Sequence, residues 1–440
     1  MKRSFADILS SLDEGRAQKV ARKLPAWAAV DLEIPSALAL EQCSSSATAE
    51  YKAELAAAAA NLLCGGLEVG ISRPTRSRDF CEQKLERDLR GAGVWGGAPF
   101  QMATRGLVNG RGPTARLGGM SEAKFCCDTA RPALILDLTG GLGVDSWAFS
   151  QVAERVVYFE QNAELAAAAE RNFAKLGADN IEVRNETVTP ETELPEADLI
   201  YADPARRNAA GRKVFLLEDC TPDILTLLPM LLRKAPAVLL KLSPMADLAM
   251  LAERLGPALR EIHVVESDGE IKELLCLLLR DAEPAEPEIV LVRLSGQEAS
   301  FSFKASEERA AEARFAAAVR PGDTLLEPSP ALLKAGAFKL PCCHWGLEKL
   351  APSTHLYLGE AVPWFKAWRV LEVLPFGAAA FKQLKRSYPR AEITARNLPL
   401  GSDALRKKLG IAPGGDAHIF ACRLADGAAV LLACTREAAA

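Results

Sequence analysis

The chain has 440 residues, 49% of them apolar and 25% charged, and 53 Lys and Arg against 57 Asp and Glu leave a net charge of −4. At roughly 100–200 residues per domain, two to four domains with proper cores are expected, and this composition excludes wholesale disorder and collagen-like repeats. No uncharged apolar run reaches the ~18 residues of a membrane span, and the start MKRSFADILSSLDEGR lacks the apolar stretch of a signal peptide, so a cytoplasmic protein with no membrane contact is expected.

Eleven cysteines, an odd count without CxxC spacing in so long a chain, read as reduced thiols. Cys342-Cys343-His344 is the one dense Cys/His cluster, but adjacent residues rarely converge on one tetrahedral metal, so no metal site is expected. The negative balance means that any nucleic-acid partner must be held by a local basic patch.

In chain order, residues 1–63 predict a small helical domain, with helical spacing at Phe5, Ile8, Leu9 and Leu12 and again from Leu38 through Leu63. Ser44, Ser45 and Ser46 are candidate N-caps for a helix over Tyr51–Leu63. Residues 64–131 change character: twelve of the 31 glycines fall between Gly65 and Gly119, interleaved with arginines, which reads as an insertion or linker. From 132 to 282 short apolar strands alternate with helices. Strand Leu134–Leu138 leads through a glycine loop into helix Val144–Ala153, and strand Arg155–Phe159 into the alanine-rich helix Ala163–Leu176. Strands Ile181–Arg184, Asp198–Ala202 and Ala237–Leu242 follow, with helices Asp219–Arg233 and Ala246–Leu255. Strands Glu261–Glu266 and Lys272–Leu279, joined by a tight Ser-Asp-Gly turn, close the unit as an antiparallel hairpin. The pattern predicts an α/β, Rossmann-like sheet of seven strands, one of them reversed.

After Ala282-Glu-Pro-Ala-Glu-Pro, a linker by composition, residues 283–440 read as an α+β region. Its expected elements are a hairpin at Ile289–Leu294 and Ala299–Phe303, helix Glu307–Ala318 and a helical or turn segment at Pro328–Ala337. Strand-like stretches at Trp364–Val373, helix Ala378–Ser387, strand Ala391–Arg396, helix Ser402–Leu409 and a final hairpin complete it.

The strongest motif is Asp137-Leu-Thr-Gly-Gly-Leu-Gly-Val-Asp145, between a strand and a helix. Gly141 and Gly143 let the backbone pass close to a ligand, and the helix start beyond offers unpaired N–H groups. Glu160, 17 residues past Gly143 at the end of the second strand, can accept both hydroxyls of a ribose. Asp137 beside the loop repels a pyrophosphate and suits a cationic ligand such as an ammonium. The fourth strand ends in Asp203-Pro204-Ala205-Arg206, across the switch point from the glycine loop.

These motifs resemble class I S-adenosylmethionine-dependent methyltransferases. More narrowly, EQCSSSATAEYKA, LDLTGGLGVDS, YADPARR, EPSPALLKAGAF and RNLPLGSDALRKKLG resemble a bacterial group with a C-terminal THUMP-like domain, here at about 370–440. The resemblance implies S-adenosyl-L-methionine as cofactor, held by Asp137, Thr139, Gly141, Gly143, Asp145, Glu160, Gln161, Glu186 and Asp203. In that group the serine-rich helix leads almost directly into the glycine-loop strand, and residues 64–131 depart from this.

In amino-methyltransferases with an Asp/Asn-Pro-Pro-aromatic corner, the acid and a neighbouring carbonyl polarise an exocyclic amine while the aromatic stacks on the base. Asp203 and Pro204 match that pattern, whereas Ala205 and Arg206 replace the second proline and the aromatic. Arg206 can stack or grip a phosphate in its place. Asp-Pro-Pro-Arg is the corner of uracil-C5 methyltransferases, which need a cysteine nucleophile. The fifth strand ends in Lys241-Leu-Ser-Pro244 without a thiol, and Cys220 and Cys276 read as buried structural thiols. Transfer to nitrogen is therefore favoured over carbon, with Asp203, Pro204 and Arg206 as the catalytic set and Arg207 and Lys241 as substrate contacts. His263, His344, His355 and His418 show no pairing in sequence and read as packing or surface residues.

Between Pro375 and Gly410, eight basic residues stand against Glu392 and Asp403, a local excess in an acidic chain. Lys385, Arg386, Arg396, Arg406, Lys407 and Lys408 are the candidate RNA contacts, with a solvated helix face as the plain alternative. The THUMP-like resemblance implies RNA, tRNA or rRNA. A DNA or small-metabolite methyltransferase, or a non-catalytic RNA-binding protein on a degenerate methyltransferase fold, are the competing readings.

Overall fold

The computed structural model describes residues 15, 17–64, 131–205, 220–281, 283–295 and 299–437. Helix Phe5–Leu12, nearly all of the expected insertion, and Arg206 and Arg207 lie outside these residues. Among the described residues no helix is long and apolar enough to cross a membrane.

Residues 17–23 are helical and a 3-10 turn follows at Pro25–Trp27, and after them come α1 (Ala37–Gln42) and α2 (Ser46–Cys64). The break between them falls at residues 43–45, among the serines expected to cap the second helix. Ser45 Oγ accepts the Thr48 N–H at 3.3 Å while Thr48 Oγ1 accepts the Ser45 N–H at 3.1 Å, a reciprocal cap that starts α2 afresh.

The alternating unit follows: β1 (Leu134–Asp137), α3 (Val144–Val152), β2 (Arg155–Phe159), α4 (Ala163–Lys175), β3 (Ile181–Arg184) and β4 (Leu199–Ala202). After it come α5 (Ile224–Lys234), β5 (Ala237–Leu242), α6 (Leu248–Leu255), β6 (Leu259–Ser267) and β7 (Glu270–Leu279). Helix α5 starts five residues later than expected because Asp223 caps it, accepting from the N–H groups of Leu225 and Thr226. Strands β1 to β7 stand in the order 3-2-1-4-5-7-6, with β7 antiparallel to both neighbours. Central strands such as Leu199–Ala202 are buried along their whole length, as a parallel sheet covered on both faces requires.

The sheet does not stop at seven strands. β8 (Glu288–Arg293) pairs parallel with β6, and β9 (Ala299–Lys304) pairs antiparallel with β8. This hairpin, expected with the C-terminal region, instead extends the first sheet to nine strands. The Pro-rich segment before it is a connection within that sheet, because β6 still offers a bonding edge on the side away from β7.

α7 (Ala305–Ala310) is shorter than predicted. Beyond it Ala316 N–H donates to Lys349 O and Lys349 N–H to Arg314 O, at 2.9 and 2.8 Å, so the chain gives up helical bonds for a neighbouring strand. The remaining elements are β10 (Thr324–Pro328), α8 (Pro330–Ala335), α9 (Leu340–His344), β11 (Glu348–Ala351), β12 (Thr354–Leu358) and β13 (Phe365–Pro375). Then follow α10 (Ala378–Ser387), β14 (Glu392–Arg396), α11 (Ser402–Leu409), β15 (Ala417–Arg423) and β16 (Ala429–Arg436). Their strands form a second, seven-stranded sheet ordered 11-12-10-13-16-15-14.

The first sheet has a core on each face. One packs Leu227 and Leu231 of α5 and Leu251 of α6 under the strands, together with Ala331 and Trp364. The other seats Leu24, Trp27, Leu40, Ala49 and Ala56 against Phe149, Tyr201 and Leu239. The N-terminal helices therefore share a core with the sheet. The segment before α1 is clamped to α4, where Asn172 bonds both backbone groups of Glu33, at 2.8 and 2.9 Å.

Candidate active site

The glycine loop folds for local reasons. Gly140 lies against Tyr158, where a Cβ would come within 1.9 Å of the ring, and Tyr158 Oη donates to Gly141 O at 2.6 Å. Gly143 caps α3 with φ +84°, and a Cβ there would stand 2.5 Å from the Phe173 ring. Gly141 differs: at φ +56° the space beyond it holds only Thr139 O, at 3.9 Å. Two of the glycines serve packing, and the third opens the loop to the outside.

Asp137 is 1% exposed, and it holds the loop together. Its Oδ1 accepts the Thr139 N–H at 3.0 Å and its Oδ2 accepts Ser146 Oγ at 2.5 Å. Burial pushes its carboxyl up to about 7 against the opposing effect of those hydrogen bonds. Glu160 sits half-buried where β2 ends, accepting Gly141 N–H at 2.8 Å and Asn162 N–H at 2.7 Å. Gln161 and Glu186 are exposed just past β2 and β3, at the same edge of the sheet.

Thr139 links the loop to the Asp-Pro corner, its Oγ1 accepting the Asp203 N–H at 2.6 Å. Asp203 Oδ2 in turn lies 2.5 Å from Lys241 Nζ, with the lysine side chain 13% exposed and the carboxylate 34%. Burial works to lower the Lys241 pKa, but Asp203, Glu273 and Asp145 outweigh it and hold the ammonium well above the usual lysine range. Lys241, expected as a substrate contact, is the partner of the corner's carboxylate. Pro204 is buried, and Ala205 is exposed and pairs with Thr221 through two backbone hydrogen bonds.

Asp145 faces away from the loop's open side into a buried polar cluster. Its Oδ2 accepts Ser44 Oγ at 2.9 Å and Tyr201 Oη at 2.8 Å, and its Oδ1 lies 3.2 Å from Lys52 Nζ. Lys52, fully buried on α2, also donates to Ser44 Oγ at 2.9 Å and to Glu273 Oε1 at 2.8 Å. Burial acts to raise the Asp145 pKa, yet Lys52, Lys241 and the two hydroxyls bring it below the usual range. Glu273 is left raised by burial despite both lysines. Close by, Lys23 Nζ donates to Leu40 O and Glu41 O, at 2.9 and 2.8 Å, and Cys43 Sγ to Leu40 O at 3.3 Å. Burial lowers the Lys23 pKa and raises that of Cys43, and each feels the charge of Lys241.

Sequence reasoning missed Lys23, Cys43, Ser44 and Lys52 as neighbours of this site. The signal was present in EQCSSSATAEYKA: a lysine inside an alanine-rich helix has to find a carboxylate if it is buried. It missed a second N-terminal contact as well. His263 Nδ1 lies 2.7 Å from Tyr51 Oη and its Nε2 lies 2.8 Å from Glu261 Oε2, so it is paired and buried. Cys276 is fully buried with its thiol pushed up to about 12, an inert core residue. Among the described residues no group of three His, Cys, Asp or Glu could hold a metal ion.

The basic candidates of the second sheet divide. Lys385 and Arg386 on α10 and Lys407 and Lys408 on α11 are exposed, and these two helices pack side by side with Lys408 Nζ 5.5 Å over the Phe381 ring. Arg406 is engaged in the fold, donating to Ala391 O and Glu392 Oε2 at 2.9 and 2.8 Å. Arg396 lies 3.5 Å from Glu327 and is partly buried.

Residues 365–436 match a THUMP domain-like family model, and residues 325–365 match a ferredoxin-like domain. No curated protein matches the chain. Among solved structures, a Porphyromonas gingivalis W83 protein assigned as a methyltransferase shares 30% identity over 96% of this chain and 88% of that one, with a TM-score of 0.70. More local likenesses include a Pyrococcus horikoshii protein described as an RNA methyltransferase, at 19% identity over 24% of this chain and 49% of that one, TM-score 0.20. Another is a Streptococcus mutans protein described as a methyltransferase and solved in complex with SAH, at 11% identity over 34% and 89%, TM-score 0.27. The first of these matches, spanning both sheets at that identity, places the chain in the family of the Porphyromonas gingivalis protein: a Rossmann-like methyltransferase with a THUMP-like C-terminal domain.

Proposed function

We propose that this methyltransferase uses S-adenosylmethionine and methylates a base nitrogen of structured RNA. The observation that carries the reading is the bond from Asp203 N–H to Thr139 Oγ1, which sets the acceptor corner directly against the glycine loop. The residues fit the cofactor. Gly141 has open space where a side chain would stand, and Glu160 closes β2 where a ribose would rest. When bound, the cofactor supplies an electrophilic methyl group on a positively charged sulfur.

The chain's own residues then bind, orient and polarise. Glu160 accepts the ribose hydroxyls, and Gly141 lets the ligand approach the backbone. Lys241 fixes the Asp203 carboxylate through Oδ2, leaving Oδ1 to accept a hydrogen of the acceptor amine. Pro204 stiffens the corner. Lys385, Arg386, Lys407 and Lys408 supply the phosphate contacts of the THUMP-like domain, and Arg206 and Arg207, which follow the corner in sequence, are further candidates.

Methyl-labelled S-adenosylmethionine incubated with separate pools of unmodified tRNA, rRNA, DNA and protein tests this, with an Asp203→Ala variant alongside. Label is expected in one RNA pool and lost in the variant. Label only in DNA or protein, or in none of the pools, overturns the reading.

A further inference from the structure

β5 ends at Leu242, one residue past Lys241, and residues 243–247 turn the chain into α6. Ala202 and Leu240 are in register on adjacent parallel strands, so the segments leaving β4 and β5 emerge side by side at the carboxyl edge. The turn therefore borders Asp203. It is closed by Ala246 N–H donating to Ser243 O at 3.0 Å and Met245 N–H donating to Ser243 Oγ at 3.1 Å. Met245 projects from it 73% exposed, the most exposed large apolar side chain among the described residues.

This turn is also held from the second sheet's side. Lys334 on α8 donates from Nζ to Ala246 O at 2.6 Å, across 88 residues of chain. Helix α8 is braced in its turn by the first sheet. Glu266 of β6, 4% exposed, accepts the Ala331 N–H at 3.0 Å, and Arg293 of β8 lies 3.4 Å from its other oxygen. Arg293 also stacks over Trp364, 4.6 Å from the ring centre.

We propose that Met245 is the apolar wall on which the acceptor ring rests, and that Lys334 is a positioning residue that sets this wall from the second module. The inference rests on the reading of Asp203 as the acceptor-polarising group. Among the described residues the corner itself offers a ring little apolar surface, since Pro204 is buried and Ala205 ends in a methyl group. A methionine thioether is polarisable and adapts to an aromatic face. At 73% exposed, the Met245 side chain is open for a ring to cover.

The test uses the full chain and the variants Met245→Ser, Met245→Leu, Lys334→Met and Lys334→Arg. Hydrogen exchange of residues 243–247 needs no substrate, and Lys334→Met should speed it about tenfold while Lys334→Arg restores it. Oxidation of Met245 should be shielded by the unmodified tRNA and rRNA pool in the presence of S-adenosylhomocysteine. In steady state, Met245→Ser should raise KM for that pool about tenfold, Met245→Leu should stay near wild type, and cofactor affinity should be unchanged in both. Exchange unaltered by Lys334→Met overturns the positioning role. RNA that protects α10 and α11 but leaves Met245 open overturns the wall and spares the RNA reading. Protection nowhere on the chain overturns the RNA reading and the inference together.

Discussion

Lys52 Nζ lies 3.2 Å from Asp145 Oδ1, and this contact joins the N-terminal helical segment to the helix that follows the glycine loop. Asp145 Oδ1 has no hydrogen bond and depends on the charge of the lysine. Glu273 of β7, 2.8 Å from the same ammonium, completes a buried triad behind the site. Replacing Lys52 with Met leaves two buried carboxylates without their counter-charge, which should destabilise the fold by about 3–5 kcal/mol. Urea denaturation of Lys52→Met should show this, and adding Glu273→Gln should recover part of the loss.

Asp203 and Lys241 should separate binding from chemistry. Lys241→Met removes the group that orients Asp203 without touching Gly141 or Glu160. Methyl transfer should fall on the order of 10²-fold, with cofactor affinity changed no more than a few-fold. Calorimetry with S-adenosylhomocysteine beside single-turnover methylation checks the split.

Gly143 is constrained twice, by φ +84° and by the Phe173 ring 2.5 Å from where a Cβ would stand. Gly143→Ala should lower stability by about 1–3 kcal/mol. Pairing it with Phe173→Leu should relieve the clash but not the backbone strain, so thermal melting should recover only partly.

Asp137 gives stability a pH dependence of known sign. The folded chain holds this proton up to about pH 7, whereas an unfolded aspartate releases it near 3.8. Its contribution is therefore complete below about pH 4 and is lost as pH rises through about 7. Asp137→Asn keeps an acceptor for Thr139 and should flatten that slope. Denaturation midpoints at pH 5 and pH 8 should differ less in the variant than in the wild type.

The exposed lysines and arginine of α10 and α11 should act through phosphate charge. Lys385→Glu, Arg386→Glu and Lys407→Glu should each weaken RNA binding across sequences and make log Kd less steep in log salt by about one per charge. Arg406→Glu should instead lower thermal stability, because its guanidinium bonds Ala391 O and Glu392.

The sequence alone determined the alternating strands and helices of residues 134–279, the glycine loop, Glu160 and the Asp203 corner. Those features are written in side-chain period and in motifs only a few residues long. Only the tertiary structure decided that Lys52 meets Glu273 across 221 residues, that Lys241 serves Asp203, and that strands Glu288–Arg293 and Ala299–Lys304 belong to the first sheet. The short strands Thr324–Pro328, Glu348–Ala351 and Thr354–Leu358 were equally hidden, because they lack the regular strand–helix alternation that brackets equally short strands in residues 134–202. A buried charge or an open sheet edge specifies that a partner is needed; which residue supplies it is settled when distant surfaces pack.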